Sequence, residues 1–337
     1  MPNLATLAGT APWQWPDSAR NVLLDALRNP GAPPSDRVLA AELLGHVVVM
    51  DDQVAHTLLS IAQDDRSAEA LRAQAAISLG PILEQADVDG FDDSDMVPIT
   101  EKTFREIQRT LHKLYADTGV PKFVRRRALE GAVRAPQEWQ KAALRAAWSS
   151  DDEEWKVTAV FGMAYVHGFE DEILEALHSP NEDIHYQAVV AAGEREVKGA
   201  WRHIVSLLAS RTTDKALLLA AIGAVATIRP DEAREVLDDL AGSDDPEVVE
   251  AVHEALTTAR GLSEEGDEDE DVNEAEIDGD LAENLDEEGE DEGWGDEDEE
   301  DEEEEGDEDE DDEDREDEDE DEDDDEDDDE EDDGRDR

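Results

Sequence analysis

The feature that most constrains this chain is a pattern that returns about every thirty residues. Seven segments share it: an apolar residue, often a basic one next, a small residue at the fifth place, and an apolar or glycine end. They are 36–45 (DRVLAAELLG), 71–80 (LRAQAAISLG), 124–133 (VRRRALEGAV), 155–164 (WKVTAVFGMA), 184–193 (IHYQAVVAAG), 216–225 (ALLLAAIGAV) and 248–257 (VVEAVHEALT). Their fifth residues are Ala40, Ala75, Ala128, Ala159, Ala188, Ala220 and Val252, at spacings of 35, 53, 31, 29, 32 and 32. A unit of that size holds two helices and cannot bury its apolar stripe alone. Units must therefore stack in series, and small residues let the stacked helices approach closely.

Each segment is followed by a second helical stretch, such as 51–63, 100–116, 136–148, 170–178, 197–209 and 230–241. Asp, Ser, Asn or Thr at helix starts, with Pro136 and Pro230 near first turns, supply the expected punctuation. Residues 17–29 read as an unpaired N-terminal helix. Nothing alternates with period two over a useful length, so no sheet is expected. The sequence predicts an all-α chain, an α/α superhelix of about seven helical pairs followed by a disordered polyacidic tail. Its parts are an N-terminal segment at 1–16, the solenoid at 17–260, and the tail at 261–337, with an acidic insert at 86–99 expected as a loop between the two helices of one repeat.

Over about 17–260 the chain resembles the HEAT-repeat family, in the short-period form called phycobilisome-lyase-like. The resemblance is carried by Leu71-Arg72 with Ala75-Ala76 and Leu79-Gly80, and by Val124-Arg125 with Ala128. Weaker copies stand at Trp155-Lys156 with Ala159 and at Ile184-His185 with Ala188 and Gly193. The copies at Ala216-Leu217 and Val248-Val249 lack the basic second residue. The resemblance implies a solenoid and leaves the partner open.

Charge divides the chain in two. Residues 1–260 hold 25 basic and 43 acidic residues, net −18, whereas 261–337 hold 3 and 55, net −52. The second part carries too little apolar surface to offset its ordering entropy and self-repulsion, so disorder is expected there. With no cysteine, disulfides, thiolate metal sites and cysteine nucleophiles are excluded. The start, MPNLATLAGTAPWQWPD, lacks the basic and apolar regions of a secretory signal. The longest apolar run, 216–228, has 13 residues and is too short to span a bilayer. A cytoplasmic protein without a membrane partner is expected.

The sharpest candidate site is a local reversal of charge. Residues 101–145 hold eleven basic and five acidic residues. On one helix Lys102, Arg105, Arg109 and Lys113 fall on the arc opposite Phe104, Ile107, Leu111 and Leu114; the next helix adds Lys122, Arg125, Arg126, Arg127 and Arg134. These nine form a candidate basic patch for an acidic partner or for the protein's own tail. The alternative is a solvated helix face with Arg125 serving the repeat's internal hydrogen bonds. A tail of net −52 repels phosphates, so direct nucleic-acid binding is disfavoured. Within the tail, Ile277, Leu281 and Leu285 at spacing four, with Trp294, make a candidate docking motif against a background of scattered apolar residues.

Trp13 and Trp15 are expected to seal the N-terminal end of the solenoid, and Trp139, Trp148, Trp155 and Trp201 to pack within repeats. Asp87, Asp89, Asp92, Asp93 and Asp95 miss the spacing of a helix–loop–helix calcium site. His178 and His185 read as turn decoration. No nucleophile elbow, phosphate loop, dinucleotide fingerprint or HExxH motif occurs, and no cofactor is expected. The favoured function is a non-enzymatic scaffold that binds protein partners of unknown identity, basic ones among them, with the tail tuning that binding. The alternatives are a lyase that attaches a tetrapyrrole to a client protein or removes it, as the resemblance implies, and an acidic chaperone or nucleic-acid mimic for histone-like or ribosomal proteins.

Overall fold

The computed structural model describes residues 3–91 and 97–263. Helices account for the regular structure throughout, and no strand occurs among the described residues. Apart from Leu4–Ala8 and Gly80–Asp89, the described α-helices form seven hairpin pairs, each a leading and a following helix. The pairs are Ala19–Arg28 with Pro34–Leu44, Asp52–Gln63 with Glu69–Ile77, Glu101–Ala116 with Lys122–Ala132, Glu138–Trp148 with Glu153–Met163, Glu170–Ala176 with Glu182–Glu194, Trp201–Ala209 with Lys215–Ile228, and Pro230–Leu237 with a helix over 246–263.

The seven repeated segments are the following helices of these pairs. They pack on one another in series from Pro34–Leu44 to Lys215–Ile228. Val248, Val252, Ala255 and Ala259 of the last helix join the same core. The sequence expectation of a helical solenoid is met, with one change of register. The first helix is not unpaired: Ala19–Arg28 packs on Pro34–Leu44, so each repeated segment closes a pair instead of opening one. Sequence spacing alone cannot distinguish these two pairings, because each segment has a helix on both sides.

The small fifth residues lie where helices meet. Ala40, Ala75, Ala128, Ala159 and Ala188 are fully buried. In the sixth copy the buried residue is Ala221, not Ala220, so that copy sits one place later than the sequence alignment put it. Two glycines mark close approaches of neighbouring following helices. A Cβ on Gly131 would lie 2.8 Å from the Ala76 carbonyl oxygen, and one on Gly193 would lie 2.9 Å from Ala224 Cα. Any side chain there would push neighbouring helices apart.

The basic second residue also acquires a cause. Arg37 Nε donates to the Leu27 carbonyl at 3.0 Å, Arg72 Nε to Ala62 at 3.1 Å, and Arg125 Nε to Tyr115 at 2.8 Å. In each case a side chain from the following helix reaches back ten residues to a carbonyl near the end of its leading helix. Such terminal carbonyls have no partner inside their own helix. Between pairs, the first residue of one following helix reaches the start of the next. Lys122 bonds Asp152 at 2.9 Å and also contacts Glu154. Asn181 donates to Glu153 at 3.1 Å, and Lys215 bonds Asp245 at 2.8 Å and Glu247 at 2.7 Å. Asp152, Asn181 and Asp245 also accept backbone N–H groups from the first turns of their own helices.

The long gap between the second and third copies is built differently from expectation. The segment expected as an acidic loop from 86 begins as helix, because Gly80–Asp89 continues through it and ends at Gly90 in the left-handed region. The insert lies between two pairs, not inside one. Val97 and Ile99 are buried where it rejoins the fold. At the N-terminus Trp15 is half-buried, its Nε1 donating to the carbonyls of Leu7 and Thr10. Trp13 does not share that role and is 80% exposed.

Candidate functional site

The nine cations of the predicted patch separate into two groups. Lys102, Arg105, Arg109 and Lys113 stand exposed along the 16-residue helix Glu101–Ala116, whose opposite side buries Ile107, Leu111 and Leu114. Thr100 caps this helix, accepting the Thr103 N–H at 3.3 Å, while Asp52 of the previous leading helix accepts from the Thr100 N–H at 2.9 Å. The stripe is therefore fixed at its start. Arg105 pairs with Glu101 one turn earlier. Lys102, Arg109 and Lys113 have no ion pair among the described residues. Lys113 lines a groove of about 360 Å³ together with Gln63, Asp65, Asp117 and Val120.

The other five cations are built into the fold. Arg125 lies over the rings of Tyr115 and Trp155, at 5.8 and 5.5 Å, besides its hydrogen bond to Tyr115. Arg126 Nε donates to Thr158 Oγ1 at 2.9 Å, and its guanidinium faces Glu130 and Glu154. Arg127 bonds Glu130 at 2.6 Å, and the Thr158 hydroxyl donates to the other Glu130 oxygen at 2.6 Å. Glu130 is only 3% exposed, so two arginines and a hydroxyl are what make its burial tolerable. Arg134 bonds Glu84 at 2.5 Å and lies over Tyr165 at 5.0 Å. Lys122 is held by Glu154 and Asp152, which raises its pKa, while its own hydrogen bond lowers both of theirs.

Beside the stripe, His112 stacks on Trp139 at 4.2 Å, and Tyr115 lies 5.3 Å from the same indole. This aromatic cluster joins the third pair to the fourth. Nothing in the local sequence marks His112 as part of it, because Trp139 lies on the next leading helix.

A second cluster has no counterpart in the sequence reading. His178, just past Glu170–Ala176, His185 on Glu182–Glu194 and His203 on Trp201–Ala209 come together. The Nε2 atoms of His185 and His203 are 2.8 Å apart. Burial lowers the pKa of both rings, further depressed at His203 by His185 and His178 and at His185 by His178, while Asp214 raises that of His185. His178 and His185 are thus more than turn decoration. His203 was overlooked because it is eighteen residues from His185 along the chain. Among the described residues no group of three or more His, Cys, Asp or Glu side chains is placed so that it could hold a metal ion.

Asp87 and Asp89 lie on the helix Gly80–Asp89; Asp92, Asp93 and Asp95 fall outside the described residues. So do the tail and its candidate motif of Ile277, Leu281, Leu285 and Trp294. No described helix is long and apolar enough to cross a membrane.

No protein-family model matches the chain, and no curated protein does. Solved structures do. The chain is similar to YibA of Escherichia coli at 17% identity and TM-score 0.37, over 75% of this chain and 85% of that one. It is similar to human deoxyhypusine hydroxylase at 17% identity and TM-score 0.36, over 77% and 88%. An engineered protein matches at 21% identity and TM-score 0.29, over 73% and 98%.

Proposed function

We propose that this chain is a non-enzymatic protein-binding scaffold, a HEAT-like helical array whose third pair receives an acidic segment of a partner protein. One observation carries the reading: among the described residues Lys102, Arg109 and Lys113 have no ion pair on an exposed helix, while the neighbouring cations of the patch are engaged in the fold. A helix anchored at its cap and buried on its other face holds those charges in a fixed row. An acidic peptide gains from such a row chiefly in encounter rate and specificity, and the gain falls with salt.

The tail enters as a competitor. Its net charge of −52 makes it an acidic ligand for the same row, tethered to the protein itself. A labelled oligo-glutamate peptide tests the reading by fluorescence anisotropy. Truncation after Ser263 is expected to tighten binding several-fold at low salt, and charge reversal of Lys102, Arg109 and Lys113 to abolish it. Equal affinity for the charge-reversed and unchanged proteins would overturn the reading. The tail's charge also supports a second one, capture of basic protein partners. In that case truncation weakens binding to a basic protein and charge reversal leaves it unchanged.

A further inference from the structure

The histidine cluster stands apart from the cationic row and rests on different elements. We propose that the paired imidazoles of His185 and His203 make the junction between the fifth and sixth helical pairs a pH-sensitive hinge, held shut while one of the two rings is neutral and released when acid charges both.

The contact is a hydrogen bond between rings. The Nε2 atoms of His185 and His203 are 2.8 Å apart, so one carries a proton and the other accepts it. A first added proton enters at Nδ1 of the donating ring and leaves that bond in place. A second has only the accepting lone pair left to take. Two N–H groups then face each other across the same gap, each on a positive ring, and attraction gives way to repulsion. His178 stands close by, its ring centroid 5.4 Å from that of His203. Its Nδ1 lies 3.0 Å from the Leu174 carbonyl oxygen, which only accepts, so Nδ1 carries the proton and Nε2 is open to another. Once charged, His178 adds to the repulsion.

Other titratable groups also face the pair. Glu182, Asp183 and Tyr186 stand on the helix of His185, and Asp214 caps the next following helix; together they line an open groove of about 480 Å³ with His185. Asp214 favours the charged form of His185, but burial outweighs it, and both rings titrate below the ordinary histidine value of 6.5. The unfolded chain therefore takes up protons first. The junction has its full stability above about pH 6.5 and loses it as pH falls below that value.

The fold confines the change to one end of the junction. Three other junctions clip the start of one following helix to the start of the next: Lys122 to Asp152, Asn181 to Glu153 and Lys215 to Asp245. Among the described residues no hydrogen bond or ion pair joins the start of Glu182–Glu194 to that of Lys215–Ile228. The histidine pair, which acid breaks, is the polar link at this end. His185 occupies the place from which Arg37, Arg72 and Arg125 reach back to their leading helices, and here it faces the next leading helix instead. At the other end the two following helices meet through groups that do not titrate. Gly193 lies against Ala224, and Thr227 Oγ1 donates to the Gly193 carbonyl at 2.8 Å. The eight residues from His185 to Gly193 span about 12 Å of helix. Loss of the histidine bond therefore turns the sixth pair about the Gly193 contact.

Amide hydrogen exchange of the full chain at about pH 7.5 and about pH 5.5, corrected for the intrinsic exchange rates, tests the hinge. On acidification, amides over 182–188 and 201–209 are expected to exchange several-fold faster, while those over 189–194 and 221–228, at the Gly193 contact, keep their protection. His203→Gln keeps a polar partner for His185 and removes one titrating ring, so most of that acid response is expected to vanish. The tail's carboxylates titrate in both proteins, so the comparison cancels them. Should His203→Gln lose its helical circular dichroism, His185→Gln gives the same readout from the other ring, and a nuclear magnetic resonance titration of the imidazoles in the unchanged protein is expected to show the pair taking its second proton below pH 6.5. Equal acceleration at both ends of the junction, or an acid response that survives in the folded variant, would overturn the hinge, as would two rings that titrate independently at the ordinary value.

Discussion

The first three helical pairs and the last three hold together by different chemistry. In pairs one to three an arginine on the following helix closes a carbonyl of its own leading helix. In pairs five to seven the equivalent places hold His185, Leu218 and Val249. In pairs five and six a carbonyl near the end of the leading helix is met locally: His178 Nδ1 faces Leu174, and Thr213 Oγ1 donates to Leu207 at 2.8 Å. The comparison teaches that stacking geometry needs the terminal carbonyls satisfied but does not dictate by whom. A long side chain from afar and a short one in the turn both serve, and the second frees a position for other work.

The largest effect that would sharpen this comparison lies in the third pair. Glu130→Leu leaves the mostly buried Arg126 and the more exposed Arg127 without their shared buried carboxylate, and is expected to lower stability by about 3 kcal/mol, measured by urea unfolding. Next, Arg72→Ala removes a buried, charged donor to Ala62 and is expected to cost about 2–3 kcal/mol. Thr213→Val, its local counterpart in the sixth pair, is expected to cost only about 1 kcal/mol. Equal losses at the two sites would break the contrast. Gly193→Ala drives a methyl into Ala224 and is expected to cost about 1–3 kcal/mol, while Gly223→Ala, which meets nothing within 4 Å, is expected to be neutral or slightly stabilising.

The smallest effect tests what the two halves share. Lys122 and Lys215 make the same clip to the next helix start, at exposed sites. Their hydrogen bonds depress Asp152 and Asp245 below the usual aspartate value of 3.8. A depressed carboxylate stabilises the folded state above the unfolded pKa, and that stability is lost as pH falls through the folded value. Lys122→Met and Lys215→Met are therefore expected to give small, matching losses at neutral pH that shrink below about pH 3.8 and in high salt. Unequal losses, followed by thermal melting, would show that the clips are not equivalent.

Much of the fold was legible because stacking repeats one requirement. Wherever two following helices meet, only a small residue fits, so Ala40, Ala75, Ala128, Ala159 and Ala188 mark the row directly in the sequence. The sixth copy misled by one place because 216–228 is apolar almost throughout and offers no charged residue to fix its phase. The candidate patch was legible as charge but not as use. Arg126 and Arg109 are alike in sequence, yet the first meets Thr158 thirty-two residues away and the second meets no ion-pair partner among the described residues.

By itself the sequence determined the helical class, the period of the array and the excess of acid beyond residue 260, since each follows from local composition and spacing. Only the tertiary structure decided which helix closes each pair, which cations of the patch are engaged in the fold and which three histidines meet. Those outcomes depend on contacts between residues that neighbour one another in space and not along the chain. A period records that helices stack, whereas the partner of a side chain is set by the face its neighbour presents.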